Sequence, residues 1–218
     1  MIQFRLFNIQ VTILPWFWLI MLYLGWVFTS TPGSSGVDGA QLLLMALVVL
    51  AGFLSLLIHE FGHALLIKKF GQPTEIVLHG MGGFATHPPG VFTPVQNFLV
   101  SAGGPAAQIA FGLVGLLLLQ AEILPDTQIR AFVGFFTYLS LVWAVFNLLP
   151  IFPMDGGRML AAFLPADKQP LVHLVGMALP IGIAGLALAF NYIAPFLFLF
   201  MALFAFQNFQ LWKLSRKK

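Results

Sequence analysis

The residues best equipped for chemistry in this 218-residue chain stand together at His59, Glu60 and His63. They form His-Glu-x-x-His. On a helix the two histidines lie one turn apart on one face, where both imidazoles can ligate a single zinc ion. The adjacent glutamate is then placed to take a proton from an attacking water. With five histidines in the chain, about 0.0015 copies of this pattern are expected by chance, so the spacing is not accidental. The alternative, two core histidines hydrogen-bonded to neighbours, leaves Glu60 buried without compensation at a cost of several kcal/mol. Cysteine is absent. Thiolate ligands, disulfides and cysteine nucleophiles are thereby excluded, and any metal must be held by His, Asp or Glu.

The elements that must position these residues are set by composition. The chain is 60% apolar and 8% charged, with a mean hydropathy of +0.95. That is too little polar surface for a soluble domain, and it implies an integral membrane protein. Long apolar runs in lipid must be helices, since a closed barrel would show alternating strands. The expected fold is an all-α polytopic membrane protein forming a single domain over 1–218, with about six transmembrane helices. They are placed at Val11–Phe28, Gln41–Ile67, Asn97–Leu119, Ala131–Leu149, Leu171–Phe190 and Ile193–Trp212. Thr29–Gly39 reads as a polar connection; its Gly33-Ser34-Ser35-Gly36 resembles the nucleophile motif of rhomboid serine proteases but lies in a linker and is not read as a site. Gln72–Val95 is too polar to span. Its apolar residues around Gly80-Met81-Gly82-Gly83 suggest a short hairpin or re-entrant segment at the membrane surface.

Six spans place both termini on one side of the membrane. Arg5, Lys68, Lys69, Arg158, Lys168, Lys213, Arg216, Lys217 and Lys218 then share that side, against Arg130 alone on the other. This bias puts the termini in the cytoplasm and explains the basic pI of about 9.5 without nucleic acid. Lys68 marks the cytoplasmic interface, so His63 lies about 8 Å and His59 about 13 Å inward, within reach of cytoplasmic water.

A catalytic zinc takes three protein ligands and keeps one position for water. The available side chains are His79, His87, His173, Asp38, Asp126, Asp155, Asp167, Glu75 and Glu122. Topology removes Asp38, Glu122 and Asp126, which belong to the far side. Asp155 follows Pro150 and Pro153, which break the preceding helix, and precedes Gly156-Gly157, which permit a sharp reversal toward the bundle. The other reading of Asp155 is a helix cap for the stretch near Arg158. His79 and His87 read as interface histidines, and His173 receives no role.

His59-Glu60-Phe61-Gly62-His63, followed by Asn147-Leu148-Leu149-Pro150-Ile151-Phe152-Pro153-Met154-Asp155-Gly156, resembles the site-2 protease family of intramembrane zinc metalloproteases. The signatures of that family are HExxH and N-x-x-P-x-x-x-x-D-G. Between them, Ser101-Ala102-Gly103-Gly104-Pro105-Ala106-Ala107-Gln108 is similar to its small-residue Gly-Pro segment. The resemblance implies a three-helix catalytic core over about 42–158. It also implies one zinc per chain on His59, His63 and Asp155, with Glu60 as base and Asn147 contacting the substrate or the transition state. Relative to larger members this reads as a minimal form with no room for a PDZ or CBS domain, so regulation falls to a separate protein if it exists. The peripheral helices at about 11–28, 171–190 and 193–212 carry no transferable role.

The expected substrate is a transmembrane protein whose helix must be unwound before attack, and an edge strand in Gln72–Val95 could capture the unwound peptide by strand addition. A non-catalytic zinc-binding or metal-transport protein is the competing class. It would need no glutamate beside the first histidine and would prefer a series of further His or Asp along other spans, which the sequence lacks. A prenyl-protein endopeptidase would need a glutamate third ligand on a later helix, and Glu75 and Glu122 are poorly placed for it.

Overall fold

The computed structural model describes residues 1–30, 38–80, 82–191 and 195–216. Among them are two hairpin strands, β1 (Ile2–Leu6) and β2 (Ile9–Ile13), then α1 (Pro15–Thr29), α2 (Gly39–Lys69), β3 (Glu75–His79) and β4 (Gly82–Ala85). Helices α3 (Pro94–Gln120), α4 (Gln128–Asn147), α5 (Asp155–Ala162), α6 (Gln169–Ala189) and α7 (Pro195–Ser215) follow. Gly33-Ser34-Ser35-Gly36, Met81, Ile193 and the last two lysines lie outside the described residues. The helical membrane architecture expected from composition is present. Helices α2, α3, α4, α6 and α7 are long and apolar enough to cross a bilayer.

The first expected span differs. Its N-terminal part, Val11–Ile13, belongs to β2, and the helix begins only at Pro15, where a missing N–H costs nothing at the first helical position. What remains is a 15-residue helix, about 22 Å long. It is shorter than the roughly 30 Å hydrocarbon core.

The chain divides into two compact units, one of Met1–Val91 with Gly103–Ala144, the other of Phe92–Ala102 with Val145–Lys218. In the first, the strands form one sheet in the order β1-β2-β3-β4. β1 and β2 pair antiparallel, β2 and β3 parallel, and β3 and β4 antiparallel. Alternation decides which face is covered: Ile9, Val11 and Ile13 of β2 and Ile76 and Leu78 of β3 are buried with Phe17, Leu56, Leu57, Phe61 and Ala64. The β1–β2 turn places Phe7 and Asn8 at φ of 52° and 58°, as a two-residue turn of mirror-image type requires. A phenylalanine is unusual there. Its ring meets Phe61 edge-on at 5.6 Å and its carbonyl accepts a hydrogen bond from Lys68 Nζ at 2.8 Å, so α2 braces the turn.

α2 carries the His-Glu-x-x-His motif, and both its ends are fixed locally. Asp38 caps it by accepting from the Gln41 N–H at 2.7 Å. At the other end Gly71 takes φ +79°, its N–H donates to Lys68 O, and the Gln72 N–H donates to Ile67 O. This is the Schellman arrangement that glycine permits, with Lys68 and Lys69 favourably placed on the negative end of the helix dipole. α1 runs antiparallel beside α2: Phe17 meets Phe53, Met21 lies by Gly52, and Gly25 lies against Met45 and Val49.

α3 meets α2 where neither has side chains. A Cβ on Gly62 would run into the Gly103 carbonyl, and one on Gly104 into the His63 ring. Small residues thus allow backbones to touch beside the histidines, the usual device for holding helices together in lipid. α3 continues as helix through Pro105.

In the second unit α6 packs along α7, and α5 packs on α6. Gly62→Ala is expected to force α2 from α3 and lower stability by about 1–3 kcal/mol, read as a lower thermal unfolding midpoint in detergent. An unchanged midpoint would contradict this crossing.

Candidate metal centre

His59 and His63 lie in the middle of a regular helix, so their rings share one face and meet edge-on with centroids 4.7 Å apart. His59 Nε2 and His63 Nε2 are 3.0 Å apart. Two imidazole nitrogens this close must either share a proton or converge on a cation, since two lone pairs repel. The other nitrogen of His59 decides between its tautomers. Gln108, 1% exposed, donates from Nε2 to Ser55 O at 3.2 Å and to Ser55 Oγ at 3.0 Å. A carbonyl can only accept, so the Gln108 amide is oriented with Oε1 toward His59 Nδ1, 2.9 Å away. His59 Nδ1 therefore donates, and its Nε2 presents a lone pair toward His63. Ser140 of α4 donates to Ser55 Oγ at 2.9 Å and extends the chain of bonds to a third helix. This is the outer-shell pattern that orients metal-ligating histidines. The donor set fits zinc: neutral imidazole nitrogens aimed at one point, no thiolate, and surroundings that exclude bulk water.

Glu60, 3% exposed, packs against β4: a Cβ on Gly83 would lie 2.7 Å from both Glu60 Cγ and Oε1. Only glycine allows that strand, the last in the sheet, to lie against the carboxylate. In the second unit Asp155, 5% exposed, is the first residue of α5. The segment before it folds tightly on itself, with Ile151 N–H donating to Leu149 O and Met154 N–H to Ile151 O. Gly156 and Gly157 abut the backbone of Leu148–Phe152, where a Cβ on either would collide. His59, His63 and Asp155 are all buried. Asn147 is half-buried and ends α4. His79 ends β3 beside Phe84, His87 is bonded to Pro88 O, and His173 is buried on α6 against Phe152.

The family model for peptidase family M50 matches residues 120–189. Over 71% of its length the chain is 33% identical to a putative zinc metalloprotease, sll0528, of Synechocystis, covering 41% of that protein. Over 51% it is 36% identical to the zinc metalloprotease MJ0392 of Methanocaldococcus jannaschii, covering 32% of it. The solved site-2 protease from Methanocaldococcus jannaschii superposes with a TM-score of 0.63 at 23% identity, covering 96% of this chain and 94% of that one. The chain is similar to peptidase family M50 over that stretch and to proteins named zinc metalloproteases over a wider one. At 23% identity the superposition speaks to the fold alone, and the five long apolar helices are those of a multi-pass membrane protein. The chain spans about a third to two-fifths of the length of the curated relatives it matches first. These two relatives are named zinc metalloproteases, and the imidazole pair on α2 is a donor set that suits zinc.

Sequence reasoning left Gln108 as one letter of a Gly-Pro segment and passed over Ser55 and Ser140. The available signal was a polar side chain inside each of three lipid-length helices, which membrane proteins rarely tolerate without a partner. Gln108→Leu should leave His59 Nδ1–H buried without an acceptor and weaken zinc binding about 10- to 100-fold, measured by competition with a chromophoric chelator. Wild-type affinity in that variant would contradict the tautomer assignment.

Proposed function

We propose that this protein is a zinc-dependent intramembrane endopeptidase that hydrolyses peptide bonds in or near transmembrane segments of membrane-protein substrates. His59, His63 and Asp155 are its metal ligands and Glu60 its base. The observation that carries this reading is the facing Nε2 pair of His59 and His63, with Glu60 between them in sequence and against the end strand of a sheet. A non-catalytic metal site would have no use for a buried carboxylate at that position. Asp155 is supported as third ligand by its burial at the start of α5 and by the glycines that fold the preceding segment closely onto that helix.

When bound, zinc acidifies water and polarises a carbonyl. Glu60 accepts the proton of the attacking water and then delivers it to the leaving amine nitrogen, serving as base and acid in turn. Gln108 keeps His59 in the tautomer that ligates. β4 receives the unwound substrate as an added strand, using main-chain hydrogen bonds for which side-chain identity matters little. The Gly83–Glu60 contact supports that role, because a peptide paired along β4 would pass beside the carboxylate. Asn147 donates its amide to the substrate carbonyl.

Both termini face the cytoplasm, and the site opens toward that side. The bond from Lys68 to Phe7 supports this orientation by setting the N-terminal hairpin at the basic end of α2, with α1 antiparallel to that helix. Nine basic residues then lie on one side against Arg130 on the other.

Glu60→Gln should retain about one zinc per chain and cut cleavage of a reconstituted transmembrane substrate by about 100- to 10,000-fold. His59→Ala and His63→Ala should lose the metal as well. Full activity of Glu60→Gln would defeat the mechanism, and metal retained equally in both alanine variants would defeat the ligand assignment.

A further inference from the structure

Asn208 is completely buried in the C-terminal half of α7, whereas its polar neighbours Gln207 and Gln210 are exposed. An amide in such surroundings is costly unless its donors are used. Both hydrogens of its Nδ2 have acceptors: Phe204 O one turn back on its own helix, at 2.8 Å, and Phe152 O, also at 2.8 Å. Phe152 stands three residues before Asp155, in the non-helical segment between α4 and α5. α6 makes room for the amide, since a Cβ on Gly176 would run into Asn208 Oδ1, and His173 of α6 packs its ring 5.3 Å from that of Phe152. The carbonyl of an irregular, buried segment therefore takes its bond from the last helix, and the side chain of the same residue is held by the helix before it.

We infer that Asn208 is a positioning residue. Through Phe152 O it fixes the Leu148–Met154 segment and so the direction in which Asp155 leaves the start of α5. This gives α6 and α7 a task in the metal centre, although neither helix supplies a ligand. The inference rests on the reading of Asp155 as the third ligand.

Three variants of the chain in detergent test it: Asn208→Leu, which keeps the branching and removes both donors; Asn208→Ser, which retains the local bond to Phe204 O but is too short for Phe152 O; and Asp155→Asn. Zinc affinity is measured by chelator competition on the monodisperse fraction, the ligand field by the visible spectrum of the cobalt-substituted protein, and segment mobility by amide hydrogen exchange of the metal-free protein. Expected for both Asn208 variants are a roughly 10-fold or greater loss of affinity, altered cobalt bands and faster exchange confined to 148–156. Wild-type affinity and cobalt bands in Asn208→Ser overturn the inference, whether or not Asn208→Leu folds. Wild-type affinity in Asp155→Asn instead overturns the ligand reading beneath it. Loss of affinity in Asp155→Asn alone overturns only the role of Asn208.

Discussion

The hydrogen bond between His59 Nδ1 and Gln108 Oε1 is the constraint on which the candidate metal centre depends. A histidine on a membrane helix has two nitrogens to satisfy and little water to help. Once one nitrogen is committed as donor to an oriented amide, the other is a lone pair with a fixed direction. The orientation of Gln108 is itself imposed by Ser55 O, a carbonyl that can only accept. Ser140 completes a chain of polar side chains reaching across α2, α3 and α4. This network can exist only because α2 and α3 approach at Gly62, Gly103 and Gly104 without side chains between them. Packing of small residues and placement of the lone pair are therefore one requirement. A methyl group at the crossing would lengthen the very bond that sets the tautomer.

The sheet imposes a second constraint on the same helix. Its buried face covers Leu57, Phe61 and Ala64 of α2, the side chains that alternate with the motif. Its end strand touches Glu60 through Gly83. One helix thus presents its histidines toward α3 and its glutamate toward β4, an assignment of faces that follows from the 3.6-residue period.

Much of this was legible in the sequence. Five of the six expected spans match long helices to within three residues at the ends that are described, because charge and proline stop helices where lipid ends. His59, Glu60, His63 and Asp155 stood out because charged and imidazole groups are scarce in such a chain. The N-terminal hairpin was hidden because Ile9-Gln10-Val11-Thr12-Ile13 has the alternation and β-branching of a strand but adjoins an apolar helix, and a count of apolar residues merges the two. The parallel pairing of β2 with β3 joins residues more than sixty positions apart, which no local pattern encodes. Gln108 and Asn208 were obscure for the opposite reason. Each is a single amide whose role depends on a carbonyl supplied by a distant segment.

The central claim is that the facing nitrogens of His59 and His63 hold zinc. Zinc X-ray absorption on the purified protein tests it directly. The account predicts about one zinc per chain with two imidazole nitrogens at about 2.0–2.1 Å and the remaining positions filled by oxygen. Purified folded protein that binds no zinc, or zinc with an unchanged imidazole signal in His63→Ala, would contradict it.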